Sequence, residues 1–100
     1  MPRPKIPRTI CGFPANGCFK PNGVPMNRLE QVHLADDEFE ALRLVDLLGL
    51  RQQQAAVEMK ISRQTLANIL KTARFKVTSC LSEGKALILQ HEKVKEQSIS

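Results

Sequence analysis

Residues 51–77 read RQQQAAVEMK ISRQTLANIL KTARFKV, and a break at Lys60-Ile61 divides them into two amphipathic runs. The first run, Arg51–Met59, carries the paired small residues Ala55 and Ala56, which let another helix cross it closely at a steep angle. Ile61 supplies an apolar plug for the angle between the two, and Ser62 stands where the next helix needs an N-cap. In the second run Leu66, Ile69, Leu70, Ala73 and Val77 recur at helical spacing on one stripe, and Met59 closes the seam from the first run. Small contact residues, a plugged turn, a capped start and an inward stripe together predict a helix-turn-helix, its last helix running from Ser62 to about Ser82. Lys60 departs from the pattern: that turn position wants a positive φ and is commonly glycine. A lysine there costs up to about 1 kcal/mol, predicts a slightly wider turn and places a cation within reach of a phosphate.

The outward residues of the second run are polar and free of acid. Arg63, Gln64 and Thr65 open it, and Asn68 and Lys71 follow one and two turns later. Arginine binds guanine as a bidentate fork, and glutamine or asparagine binds adenine in the same way, so these types at this spacing fit a helix reading the major groove of DNA. Ser62 leaves the free N–H groups and the positive dipole end facing the DNA backbone. Arg74 and Lys76 are expected at phosphates.

Outward from this core the chain divides into three parts. Residues 1–28 hold all six prolines and the turn-forming pairs Asn16-Gly17 and Asn22-Gly23, which forbids a helix and prevents regular ladder pairing. They read as an extended basic arm with turns at Ala15-Asn16-Gly17 and Pro21-Asn22-Gly23. Residues 29–90 form the helix-turn-helix domain. It begins with a weak strand signal over Leu29–Leu34 and continues with a first helix capped by Asp36 and stopped by Gly49. Phe39, Leu42, Val45 (or Leu44) and Leu48 give that helix one apolar stripe, its acids being dipole partners or solvent-facing. Lys85–Leu89 reads as a second short strand, and residues 91–100 as a flexible tail. The expected fold is mainly α: three helices, an extended Pro-rich arm and two short β-strands flanking the helices, paired with each other or across a two-fold axis.

Composition narrows the function. Hydrophobic residues make up 42% of the 100, enough for one core, and four Phe with no Trp or Tyr make that core aliphatic. No run reaches the roughly 18 apolar residues of a membrane span, and MPRPKIPRTI lacks the apolar stretch of a secretory signal, so the expected location is cytoplasmic with no membrane partner. The net charge of +5 is unevenly placed: residues 1–28 carry +5, residues 29–50 carry −5, and residues 51–82 carry +5 with Glu58 as their only acid. Cations confined to the arm and the central helices fit a footprint on phosphates, with Arg3 and Lys5 placed as a minor-groove arm or as a solvated basic tail.

Cys11 and Cys18 are too far apart for a zinc knuckle, and Cys80 falls on an apolar helical face. A site built from Cys11, Cys18 and His33 is the one metal alternative; the reading adopted has no metal and no cofactor. No Ser or Cys has a base close in sequence, so no catalytic residue and no enzymatic activity are expected. Phe75 lies on the face of Asn68 and Lys71, either as an isolated exposed aromatic or as part of a partner surface. Doubling the reading head raises affinity, which favours a homodimer.

The chain also resembles a family of small, largely uncharacterised prokaryotic proteins described as predicted DNA-binding proteins. The resemblance is carried by Met1-Pro2-Arg3-Pro4-Lys5, Phe19-Lys20-Pro21, Gly23-Val24-Pro25, Asp37-Glu38-Phe39-Glu40-Ala41-Leu42-Arg43-Leu44, Asp46-Leu47, Gly49-Leu50, Gln54-Ala55-Ala56, Ser62-Arg63-Gln64-Thr65 and Gly84-Lys85-Ala86-Leu87. It covers the chain to about Leu89 and implies a helix-turn-helix similar to region 4 of the sigma-70 factors, with double-stranded DNA as partner and a regulatory role in transcription. The chain departs from the family's pattern at Lys60, where glycine is usual, and at Phe75, where a basic residue is usual. The competing reading is an interaction module that docks on RNA polymerase or another transcription component through its acidic first helix and does not read DNA.

Overall fold

Acidic residues crowd the start of the first helix, where the backbone dipole favours them. In the computed structural model, which describes residues 17–89, α1 spans Asp36–Leu42 with Asp36, Asp37 and Glu38 in its first turn. The cap position is Ala35 rather than Asp36, because Glu38 reaches back and accepts the Ala35 N–H at 2.9 Å, the carboxylate half of a capping box. The helix then widens into a π turn over Arg43–Leu47, with the Leu48 N–H bonded to the Arg43 carbonyl, and Gly49 ends it at φ +78°. That extra residue shifts the phase of the apolar stripe. Ala41 and Leu44 are buried, Phe39, Leu42 and Val45 half-buried, and Leu48 is turned out to 53% exposure, which corrects the expected stripe at its last position.

The acids of α1 are not solvent-facing dipole partners throughout, as the sequence suggested. Asp37 and Glu40 are buried, and both Glu40 oxygens accept from Arg43, from Nε at 2.9 Å and Nη2 at 3.0 Å. A carboxylate is tolerated in so dry a place only with such a partner.

Helix α2 spans Gln52–Met59 and α3 spans Arg63–Glu83. Helix α3 starts on Ser62, whose Oγ accepts the Thr65 N–H at 3.0 Å, and ends on Gly84 at φ +67°. The main core lies between the three helices, built on Ala41, Leu44, Ala55, Ala56, Met59, Leu66 and Leu70. The paired alanines act as expected, both buried where α2 meets its neighbours. A second cluster, Leu34, Ala73 and Leu89, joins the helices to the sheet.

That sheet has three strands among the described residues, not two: β1 (Cys18–Phe19), β2 (Gln31–Leu34) and β3 (Ala86–Leu89), in the order β1-β3-β2. Strand β2 runs parallel to β3 from Gln31 opposite Ala86 to Leu34 opposite Leu89, so the three helices together make the long crossover that parallel pairing requires. The expected strands therefore pair with each other within one chain. Strand β1 pairs antiparallel with β3 and corrects the expectation that the proline-rich stretch forms no ladder: Cys18 and Phe19 fall in a proline-free window and meet Ile88 and Leu87. The same stretch holds a turn at Asn22-Gly23 and a 3-10 turn over Met26–Arg28. Arg3, Lys5, Cys11, the expected turn at Ala15-Asn16-Gly17 up to its last residue, and the tail from 90 onward lie outside the described residues.

Candidate nucleic-acid interface

The junction of α2 and α3 is three residues long, Lys60-Ile61-Ser62, and the N–H groups of its first two residues close back on α2. Lys60 sits in the left-handed region at φ 57°, ψ 45° and is the one described non-glycine residue with positive φ. Its N–H bonds the Val57 carbonyl at 3.1 Å while the Ile61 N–H bonds the Ala56 carbonyl at 3.0 Å, the paired closure of a Schellman motif. Ile61 packs half-buried against the helical core, as that motif requires of the residue after the left-handed one. The turn is not widened to suit lysine. Lysine adopts the conformation that glycine takes more cheaply.

From this junction α3 presents one outward stripe. Gln64, Asn68, Lys71 and Phe75 follow one another at spacings of four, three and four, and all are exposed, whereas Leu66, Leu70 and Ala73 on the other side are buried. The stripe from Gln64 to Lys71 covers about 10 Å of helix axis at 1.5 Å per residue. Arg63 is exposed beside it at the first turn, and Lys60 is exposed in the junction. Two pairs of side chains are already joined. The Ser62 hydroxyl donates to Thr65 Oγ1 at 2.9 Å in addition to capping the Thr65 N–H, and Gln64 Nε2 donates to Asn68 Oδ1 at 3.2 Å. Ser62 and half-buried Thr65 thus satisfy each other as a cap.

The remaining sequence candidates on α3 are separated from this group. Arg74 grips Asp46 in the π turn with a two-point fork, Nη2 to Oδ1 at 2.7 Å and Nε to Oδ2 at 3.1 Å. Bonding to Arg74 holds the Asp46 carboxyl below the usual carboxylate range, and the same contact raises the guanidinium further. Lys76 donates to Glu38 Oε1 at 2.8 Å and to the His33 carbonyl at 2.7 Å. Both cations were expected at phosphates; here they fasten α3 to the π turn, to α1 and to β2, because Asp46 and Glu38 lie within reach of α3. By contrast, no described acid lies in an ion pair with Arg51, Lys60, Arg63 or Lys71.

Arg51 is the cation that the sequence reading passed over. It is exposed at the start of α2, where its N–H is accepted by Gln54 Oε1 at 2.9 Å. Its signal was the run Arg51-Gln52-Gln53-Gln54, an acid-free helix start next to the stripe's own. On the other side of α3 lie two apolar troughs that share Phe19, Val77 and Leu87, of about 430 and 350 Å³. Cys80, at the edge of the larger one, is buried, which pushes its thiol up. Cys18 and His33 flank Ile88 from opposite strands, and no described group of three His, Cys, Asp or Glu is placed to hold a metal ion. No described helix is long and apolar enough to cross a membrane.

Comparison with known proteins places the chain in a family. The model described as "Protein of unknown function DUF134" matches residues 1–97. The chain belongs to this family. Among its DUF134 relatives, a UPF0251 protein of Aeromonas salmonicida is 74% identical over 90 residues, covering 90% of this chain and 88% of the relative. A UPF0251 protein of Vibrio cholerae is 64% identical, covering 90% and 92%, and one of Dehalococcoides mccartyi is 49% identical, covering 90% and 77%. A match spanning 90% of a 100-residue chain necessarily takes in the α2–α3 pair, so the DUF134 likeness extends over the candidate interface. No solved structure matches the chain.

Proposed function

We propose that this protein is a sequence-specific DNA-binding protein acting as a transcriptional regulator, with α2 and α3 as a helix-turn-helix similar to sigma-70 region 4 and α3 as the reading helix. One observation supports the reading: an acid-free outward stripe, beginning at a capped helix start, holds Arg63, Gln64, Asn68 and Lys71 in the open, while Glu38 and Asp46 are engaged by Lys76 and Arg74 on the other flank. A helix of this kind fits a major groove about 12 Å wide with its N-terminal turns against the base edges. In this reading Arg63 forks to guanine, Gln64 and Asn68 address neighbouring bases, and Lys71, Lys60 and Arg51 take phosphates. The Ser62–Thr65 cap sets the angle of the first turn. Arg3 and Lys5 add a basic arm to the same polyanion, and a homodimer doubles the reading head.

The competing reading, an interaction module docking through an acidic first helix, is weakened by where the acids go. Glu38, Glu40 and Asp46 are each committed to a cation of the same chain, and Asp37 is buried, which leaves a poor acidic surface to offer a partner. Selection from a random-sequence duplex pool at physiological salt separates the two. An enriched motif is expected; retention of all sequences alike, abolished by salt, would overturn sequence-specific reading.

A further inference from the structure

We infer that the segment Thr9–Phe13, which lies outside the described residues, closes the smaller apolar trough of its own chain, with Phe13 and Ile10 as the side chains that fill it.

The trough is a concavity of about 350 Å³ between α1, the π turn and the sheet. Phe19, Leu34, Phe39, Leu42, Leu47 and Leu89 make its wall. Two of these large side chains stand in the open, Phe19 at 51% and Leu47 at 76% exposure. Contiguous apolar surface of this kind marks a place where another surface docks. The two charged groups on the rim are each engaged within the chain, Arg43 with Glu40 and Asp46 with Arg74. The trough therefore favours an occupant that is apolar and uncharged.

Both segments outside the described residues leave from its rim. The Leu89 N–H donates to the Gly17 carbonyl at 2.9 Å, and Leu89 lines this trough and not the larger one. The two segments differ in chemistry. Residues 91–96 read HEKVKE, with four charges in six positions, whereas residues 9–16 read TICGFPAN, with none. Charge selects the N-terminal segment. Its length agrees. Phe13 is four residues from Gly17, within about 13 Å at about 3.3 Å per residue. Pro14 biases Phe13 to an extended backbone, which sets Ile10 about 10 Å further on. The wall from Phe39 to Leu47 is about 12 Å long at about 1.5 Å per residue, so it takes both side chains. If α3 reads DNA as proposed above, the seat also directs the basic arm. Arg8, two residues ahead of Ile10, leaves at the Leu47 end beside the Asp46–Arg74 pair, about one helical turn along α3 from Lys71.

The test is NMR on the free full-length protein, which needs no DNA, so its outcome is separate from that of the DNA-reading proposal. Cross-relaxation is expected from the Phe13 ring and the Ile10 methyls to the methyls of Leu47 and Leu89. In a mixture of isotope-labelled and unlabelled chains those contacts should stay within one chain. Leu47→Gln, at a position that an open trough would leave nearly neutral, should lower Tm by about 4–8 °C, and Phe13→Ser by a similar amount. The double variant should lose little more than either single one, because both remove the same contact. Absence of these contacts, contacts made only between chains, or contacts from Val94 and Ile99 in place of Ile10 and Phe13 would each overturn the proposal. So would a neutral Leu47→Gln or additive losses in the double variant.

Discussion

Replacing Lys60 by glycine should stabilise the fold and, under the proposed function, weaken DNA binding at the same time. Lys60 occupies φ 57°, ψ 45°, and a side-chain-bearing residue pays roughly 1–2 kcal/mol there. Glycine adopts the conformation freely but brings greater chain entropy to the unfolded state, a charge of about 0.5–1 kcal/mol against it. The balance favours Lys60→Gly by about 0.5–1 kcal/mol, and the Schellman bonds of Lys60 and Ile61 to Val57 and Ala56 survive because they use only the backbone. In a domain of this size that gain raises Tm by about 2–8 °C. The same change removes an exposed cation with no described acid partner, so the slope of log affinity against log salt should fall by about 0.9 if Lys60 neutralises a phosphate. Lys60→Ala separates the effects: it removes the charge and keeps the strain, and should lower the slope without raising Tm. A Lys60→Gly protein that melts below wild type would refute the strain argument.

Other changes test other joints of the structure. Ser62→Ala removes the acceptor of the Thr65 N–H and should cost about 1 kcal/mol in urea unfolding; a loss within error would show that Thr65 and water recap the helix. The Asp46 carboxyl titrates lower folded than unfolded, so its bond to Arg74 stabilises the fold above the ordinary carboxylate range and the stabilisation is lost as pH falls through the depressed value. The pair is about half exposed, so Asp46→Asn should cost no more than about 1 kcal/mol at pH 7, and progressively less as pH falls below the ordinary carboxylate range; a cost that does not fall with pH would show that the contact does not titrate. Phe75, 72% exposed on the stripe, is expected in the contact between two copies, so Phe75→Glu should lower the sedimentation mass; an unchanged mass removes Phe75 from that contact.

The helices were legible because their signals are local. Ser62, Gly49 and Gly84 mark ends by backbone chemistry that needs no partner, and Leu66, Leu70 and Ala73 declare an inward face by spacing alone. What escaped depends on contacts made far along the chain. Strand β1 is two residues in a proline-rich stretch and exists because β3 offers an open edge opposite Cys18 and Phe19. The π turn leaves no mark in the residues 43–47 that a regular helix would not share, yet it decides that Leu44 goes in and Leu48 comes out. Arg74 and Lys76 look like phosphate contacts on α3 alone; their acids lie 28 and 38 residues away. At the candidate interface the residue types were readable, whereas the bond between Gln64 and Asn68 is a matter of rotamers.

The placement of those distant acids alters the electrostatic argument that first pointed to a polyanion. The central block of the sequence holds six cations, Arg51, Lys60, Arg63, Lys71, Arg74 and Lys76, against one acid. The fold pairs the last two with Asp46 of the π turn and Glu38 of α1, and thereby confines the unpaired cations of this block to the junction, the first turns of α3 and the start of α2. Four cations, each releasing about 0.9 counterion per phosphate, limit the salt slope contributed by this face to about 4 per chain. A footprint so small gives weak non-specific binding by itself, and any tight complex must draw on base contacts, on the basic arm or on a second copy. Thus, under the proposed function, Glu38 and Asp46 would contribute to recognition by subtraction: they remove charge from the flank of α3 and leave the cations of the stripe and the junction unopposed.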